Sequence, residues 1–265
     1  MPHLFLVTPT QGTIGTTINL KGNGFIRNQQ VYITIGQTSY TAVNEENYIL
    51  TNNLGEFAGI GGGESTLATW TDTIRIQPYG QVMVIATQTT TIATGTFFIT
   101  PNTWVIPLQG SVGTLITVYG NGYEVSKVIQ INFGTTQSIS LATTNSVGSL
   151  TVIFTVDTQG LGTTTILAIA PLPVGTQMIF FKIIPYIVDI TPRTGSVGTI
   201  VTIQGSGFSV NKQVRIEFGR TKTITTVSVS AIGSFTTTFV PTVPLFGVIK
   251  NRLGIMLKLL VANTL

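Results

Sequence analysis

The chain alternates between apolar and polar side chains. Over Val201–Gln204, Val201 and Ile203 fall on one side, Thr202 and Gln204 on the other. Ile18 and Leu20 against Asn19 and Lys21 repeat the pattern, as do Ile116 and Val118 against Thr117 and Tyr119. A second alternating stretch follows each first one, carried by Val31, Ile33 and Ile35, by Ile129, Ile131 and Phe133, and by Val214, Ile216 and Phe218. Period two predicts strands with one face in a core and one in water. Between the paired stretches lie Gly22-Asn23-Gly24-Phe25, Gly120-Asn121-Gly122-Tyr123 and Gly205-Ser206-Gly207-Phe208. The glycines permit the turn, and the aromatic is expected to lid the end of the core.

These landmarks keep register. From Gly12, Gly110 and Gly195 to Gly22, Gly120 and Gly205 the spacing is 10 each time, and from there to Gly36, Gly134 and Gly219 it is 14. A fixed register predicts one structural unit used three times. Gly148 and Gly233 lie 14 further on, but Gly55 lies 19 further on. The first copy therefore carries a five-residue insertion around Asn44 to Asn53, and a second of eleven near Gly59 to Glu64. Short strands with turn signals at such intervals predict an all-β sandwich.

The motif Pro-x-x-Gly-[Ser/Thr]-[Ile/Val]-Gly-Thr, then alternation, then Gly-x-Gly-[Phe/Tyr], then a strand ending in [Phe/Ile]-Gly resembles the IPT/TIG immunoglobulin-like domain. The resemblance implies an all-β fold of three tandem immunoglobulin-like (IPT/TIG-type) β-sandwiches arranged as a rod, spanning 1–101, 102–185 and 186–265. The joints have almost no linker and carry Pro101 and Pro185, which restricts swing. Such domains occur in prokaryotic surface proteins and adhesins, polysaccharide-acting enzymes, plexin-type receptors and Rel-type transcription factors. A Thr-rich, charge-poor tandem array fits the surface-protein group. The resemblance then implies a non-enzymatic extracellular segment of a cell-surface, S-layer-like or filament protein, a spacer and an assembly or adhesion surface. Its partners would be further copies of itself or other cell-surface proteins. The alternative is a carbohydrate-binding or adhesin module, accessory to a polysaccharide-acting enzyme, with glycans as partners.

Composition narrows the class. Only 8% of the 265 residues are charged, against roughly 25% in ordinary globular chains. Mean hydropathy is +0.43, yet no apolar run reaches the roughly 18 residues of a spanning helix. No membrane span is expected, and the hydrophobicity is read as strand cores. There is no cysteine, so no disulfide and no thiol chemistry. The start, Met1-Pro2-His3-Leu4-Phe5-Leu6-Val7, lacks the basic region, apolar core and cleavage site of a secretory signal. An extracellular location then implies a piece of a longer protein, or one whose signal has been left out.

Charge is uneven. Residues 1–101 hold three Lys or Arg and five Asp or Glu, a net of −2, and residues 186–265 hold eight and two, a net of +6. An acidic head and basic tail could steer head-to-tail association. The basic surface of the third copy comprises Arg193, Lys212, Arg215, Arg220 and Lys222. Nucleic acid is not expected there, because no recognition loop accompanies the charge.

Chemistry is sparse. His3 is the one histidine, so neither a Ser-His pair nor a metal-His set can be built. Glu45-Glu46 read as a solvated loop, and the Gly-x-Gly turns lead into strands rather than helices, unlike a dinucleotide cradle. No catalytic, cofactor or metal residue is assigned. For a ligand the candidates lie in and around the first copy's glycine-rich insertion: Trp70, Tyr48 and Tyr79 as stacking surfaces, with Tyr40 nearby, and Asp72 and Glu64 as polar handles. Trp104, beside the first joint, is expected to pack across it. The last stretch, Val248 to Val261, abandons the Thr/Gly vocabulary. It is read as shortened strands, as something other than the closing strand, or as a short terminal helix.

Overall fold

The computed structural model describes residues 1–40, 48–56, 70–218, 221–241 and 257–261. The first repeat runs β1 (His3–Thr8), β2 (Gln11–Gly12), β3 (Thr17–Asn23), β4 (Gln30–Ile35), β5 (Thr38–Tyr40), β6 (Ile49–Leu50), β7 (Trp70–Thr73), β8 (Gly80–Gln88) and β9 (Thr91–Ile99). The second runs β10 (Asn102–Ile106), β11 (Gln109–Gly110), β12 (Leu115–Asn121), β13 (Val128–Phe133), β14 (Thr136–Thr143), β15 (Leu150–Thr155), β16 (Gly162–Ile169) and β17 (Thr176–Ile183). The third holds β18 (Tyr186–Thr191), β19 (Val201–Ser206), β20 (Gln213–Phe218), β21 (Thr221–Ser228), β22 (Phe235–Phe239) and β23 (Leu257–Val261). The fold is all-β, as the alternation predicts.

Each repeat holds two sheets. The first of each are the three-stranded β1-β3-β7, β10-β12-β15 and β18-β19-β22. The second are β2-β9-β8-β4-β5, with β6 also on β4, then β11-β17-β16-β13-β14, and, among the described residues of the third repeat, β21-β20-β23; in the first two repeats this second sheet is the larger. The short strands β2 and β11 lie parallel to the closing strands β9 and β17, Gln11 opposite Phe98 and Gln109 opposite Lys182. The first strand of a repeat thus begins on one sheet and crosses to the other, tying both to the end of the chain segment.

The core lies between the sheets, and the residues in it are the alternate ones. Ile18, Leu20, Ile33 and Ile35 fill the first, with Phe97 and Ile99 from β9. Ile116, Val118, Ile129, Ile131 and Phe133 fill the second, with Phe154 and Phe181. Val201, Ile203, Val214 and Ile216 fill the third, with Phe235 and Phe239. Phe25, Tyr123 and Phe208 are buried in the three clusters, as lids should be. Burying one such side chain contributes about 1.5–3 kcal/mol, so each cluster can offset the ordering of its own strands.

The tail is a strand. Leu257 stands opposite Phe218 and Leu259 opposite Ile216. In the second repeat Ile166 and Ala168 hold those places opposite Phe133 and Ile131. β23 therefore occupies the position of the penultimate strand β16, not of the closing strand β17. Of the readings open from sequence, a segment other than the closing strand is the one the pairing supports.

Phe133 is the test of the second core. It is fully buried and meets Phe154 at 5.4 Å and Phe181 at 5.6 Å between ring centroids. Phe133→Ala should lower unfolding free energy by about 3–5 kcal/mol through lost burial and a residual cavity. Denaturant titration of both proteins measures it, and a loss under about 1 kcal/mol would mean that this core collapses around the gap.

Candidate functional site

The two inter-repeat joints are built alike. Gly122 and Gly207 have φ of +69° and +77°, a backbone region that side chains rarely adopt. They also leave no room: a Cβ would stand 2.7 Å from the Thr100 carbonyl oxygen at one joint and 2.7 Å from that of Ile184 at the other. Across the first joint the Tyr79 amide donates to the Tyr123 carbonyl at 2.9 Å, and across the second the Leu161 amide donates to the Phe208 carbonyl at 3.0 Å. The turn carrying each donor reaches the next repeat's turn Asn145–Gly148 or Ser230–Gly233. A Cβ on Gly148 would lie 3.0 Å from Pro78 Cα, and one on Gly233 would lie 2.5 Å from Gly160 Cα. Matching glycines, matching carbonyls and matching donors mean that one contact set is used twice.

The Tyr123 side chain stays within its own repeat. Its ring is buried and its hydroxyl pairs with that of Thr103. Burial pushes its pKa above the ordinary tyrosine value, and the Thr103 bond opposes the shift in part.

The ligand candidates of the first repeat fall at separate places. Tyr79 belongs to the joint, its ring edge-on to Phe98 at 5.2 Å. Tyr48 meets Tyr32 of β4 edge-on at 6.3 Å, on the larger sheet's side. Asp72 lies on β7 in the smaller sheet, accepts from the Thr73 amide at 2.6 Å and pairs with Arg75 at 3.8 Å. Trp70 opens β7 opposite Leu20. Glu64 and the Gly59–Glu64 insertion lie outside the described residues, as do Glu45 and Glu46. Tyr40 ends β5, opposite Ile33.

Two of the basic residues of the third repeat pair with its own acids. Arg193 pairs with Asp189 at 3.5 Å, and Arg215 pairs with Glu217 at 3.0 Å. Lys212 sits exposed in the turn before β20. Lys222 lies on β21, and Arg220 falls outside the described residues. The Asp189 carboxyl is held below the ordinary carboxylate range, first by the Thr191 hydroxyl that donates to it, then by the Ile190 amide and Arg193.

The second repeat holds an exposed patch around Trp104. Trp104 does not serve as the joint's packing residue. It stacks on Tyr119 of its own repeat, centroids 5.5 Å apart and planes 14° from parallel. The reason is alternation: Val105 faces the core, so Trp104 on the same strand must face out. The period-two pattern of Thr103, Trp104 and Val105 held that signal. Ile106, Leu115 and Ile153 are exposed on the same outer face.

Residues 185–244 match the IPT/TIG domain model. No curated protein matches the sequence. Among solved structures, the chain is similar to the SGBP-B of a Bacteroides ovatus mixed-linkage glucan utilization locus, solved with a mixed-linkage heptasaccharide. That likeness has 13% identity, covers 89% of this chain and 66% of that one, and has a TM-score of 0.29. Invasin, a bacterial integrin-binding protein, is 12% identical over 92% of this chain and 55% of its own, with a TM-score of 0.31. An ectodomain fragment of ICAM-5 is 12% identical over 99% of this chain and 75% of its own, with a TM-score of 0.26. Among the described residues no helix is long and apolar enough to cross a membrane.

Two outcomes follow from the geometry. Gly160 has no unusual φ, but a Cβ there would meet Val210 Cγ1 at 2.7 Å. Gly160→Leu should therefore open the second joint while leaving both cores folded. Chymotryptic cleavage after the exposed Tyr186 should accelerate severalfold, with near-ultraviolet circular dichroism retained. Thr191→Val should raise the Asp189 pKa toward the ordinary carboxylate value, as read by NMR titration. The sign is fixed by the lowered folded-state value: the Asp189 interactions stabilise above the usual carboxylate range and are lost as pH falls through the lowered pKa.

Proposed function

We propose that this chain is a non-enzymatic extracellular spacer, a segment of a cell-surface, S-layer-like or filament protein. Its three repeats, taken as sandwiches over 1–101, 102–185 and 186–265, would stand end to end as a stiff rod. The observation that carries this reading is the repetition of the joint. The same seated carbonyl, the same amide-to-carbonyl bond and the same glycine contact occur between repeats one and two and between repeats two and three. A linker selected for freedom has no need of such contacts. A spacer does, because orientation is what it transmits.

Composition supports the same reading. Strand faces wetted by Thr, Ser, Asn and Gln, with few charges, leave the edges weakly defended against neighbours. Self-association or contact with other surface proteins is the partner this implies. The acidic first repeat and basic third would favour a head-to-tail arrangement at low salt.

Because the chain has no cysteine, a pair of introduced ones reports distance cleanly. Spin labels at Thr94→Cys and Ser228→Cys, both exposed positions on the first and third repeats, should give one narrow distance distribution by double electron–electron resonance. A broad or multimodal distribution would sink the stiff-spacer reading. Light scattering and electron microscopy of the same protein at low and high salt would test the assembly role. Salt-sensitive polymers are expected, and a monomer under every condition would remove self-assembly from the proposal.

A further inference from the structure

The three sheets β1-β3-β7, β10-β12-β15 and β18-β19-β22 share a register, so their outer faces can be compared position by position. The pair Trp104 and Tyr119 stands where Leu6 pairs with Lys21 in the first repeat and Asp189 with Gln204 in the third. The fold thus accepts lysine, aspartate or glutamine at this place. An aromatic pair is not something the sandwich needs there. Around it the second repeat departs further from ordinary surface chemistry. Ile106 pairs with Thr117, and Thr117 with Ile153, in the next row of the same face. Asn102 and Asn121 form the row beyond the aromatics. No Asp, Glu, Lys or Arg occurs anywhere on β10, β12 or β15.

The chemistry and size of this face select its occupant. Trp104 is 39% exposed, lies on the edge strand β10 and stacks on Tyr119, so part of its ring is accessible to a ligand. An accessible indole stacked on a second ring suits the C–H side of a sugar ring, and neighbouring amides and hydroxyls suit its OH groups. A charged ligand would find no counter-charge on these strands. A protein partner would need about 800 Å² per side and roughly 20–30 residues, far more than the outward positions of three short strands. A narrow, extended, neutral ligand fits the area available.

We propose that the outer face of β10, β12 and β15 binds a neutral polysaccharide chain. Trp104 stacks on a sugar ring, and Asn102 and Thr117 exchange hydrogen bonds with its hydroxyls. The site is independent of the spacer role, since it involves neither joint contact set, and either can fail without the other.

Affinity electrophoresis in gels containing a soluble neutral β-glucan, a galactomannan or an arabinoxylan tests it. Wild type should be retarded by at least one of them. Trp104→Ala should weaken that binding at least tenfold, and Trp104→Leu, which keeps apolar bulk but removes the ring, should do the same. Tyr186→Ala, at an exposed aromatic on the next repeat, should bind as wild type. Denaturation midpoints of all variants check that each is folded. Failure of all three polysaccharides to retard wild type would overturn the proposal, as would unchanged binding by Trp104→Leu. It would also be overturned if Trp104→Ala abolished a concentration-dependent dimer in light scattering without any polysaccharide effect, for the face would then be a protein contact.

Discussion

Burial of alternate side chains between two sheets is what this chain rests on. It has no disulfide to restrict the unfolded state and few charged groups with which to build ion pairs. Among the described residues the ion pairs are few, and the most exposed of them, Arg193 with Asp189, is of the kind that contributes little. Stability must come from apolar packing. That constraint explains the alternation, because an inward polar residue must find its own partner, as fully buried Gln88 does on the Ile26 backbone. It also explains the aromatic after each Gly-x-Gly. A sandwich of short strands is open at its ends, and Phe25, Tyr123 and Phe208 close one of them.

The joints extend the same economy. The carbonyls just past the closing strands β9 and β17, of Thr100 and Ile184, come so close to Gly122 and Gly207 of the following repeat that no side chain fits between them. Backbone does most of this work. The Tyr79-to-Tyr123 and Leu161-to-Phe208 bonds use amide and carbonyl groups that every residue has, so the joint tolerates Tyr and Leu at the donor and Tyr and Phe at the acceptor. What it does not tolerate is a side chain at Gly122 or Gly207. The constraint therefore shows in sequence as glycine alone.

Much of this was legible in the sequence because period-two burial writes itself directly into residue order. The repeat register, the core residues of the inner strands and the lids could all be read from it. The joint contacts could not. Tyr79 and Tyr123 are far apart in the chain, and nothing local marks an amide that will donate across a boundary. Trp104 was misplaced for a different reason. Its nearness to Pro101 suggested the joint, while the odd-even count from Val105 pointed outward, and the count was the better guide. Tail strand β23 escaped because its place is set by pairing with β20, and the order of turns before it no longer follows the other two repeats. The first repeat's candidate residues shared a stretch of sequence, but a sandwich sends neighbouring strands to opposite sheets, and Tyr48, Asp72 and Tyr79 went to different surroundings.

The parallel pairing of β2 with β9 and of β11 with β17 has a mechanical meaning. In each of these repeats a strand near the entry of the chain runs beside the strand from which the chain leaves. The Phe98 and Thr100 amides bond to Thr10 and Gly12, and those of Lys182 and Ile184 bond to Leu108 and Gly110. Tension applied along the chain pulls these neighbours in opposite directions along their length. The bonds are then loaded together in shear instead of being peeled open one after another. Repeats paired in this way would yield only when a whole patch of bonds gives way at once, so under load along the chain the first and second repeats would resist as shear clamps.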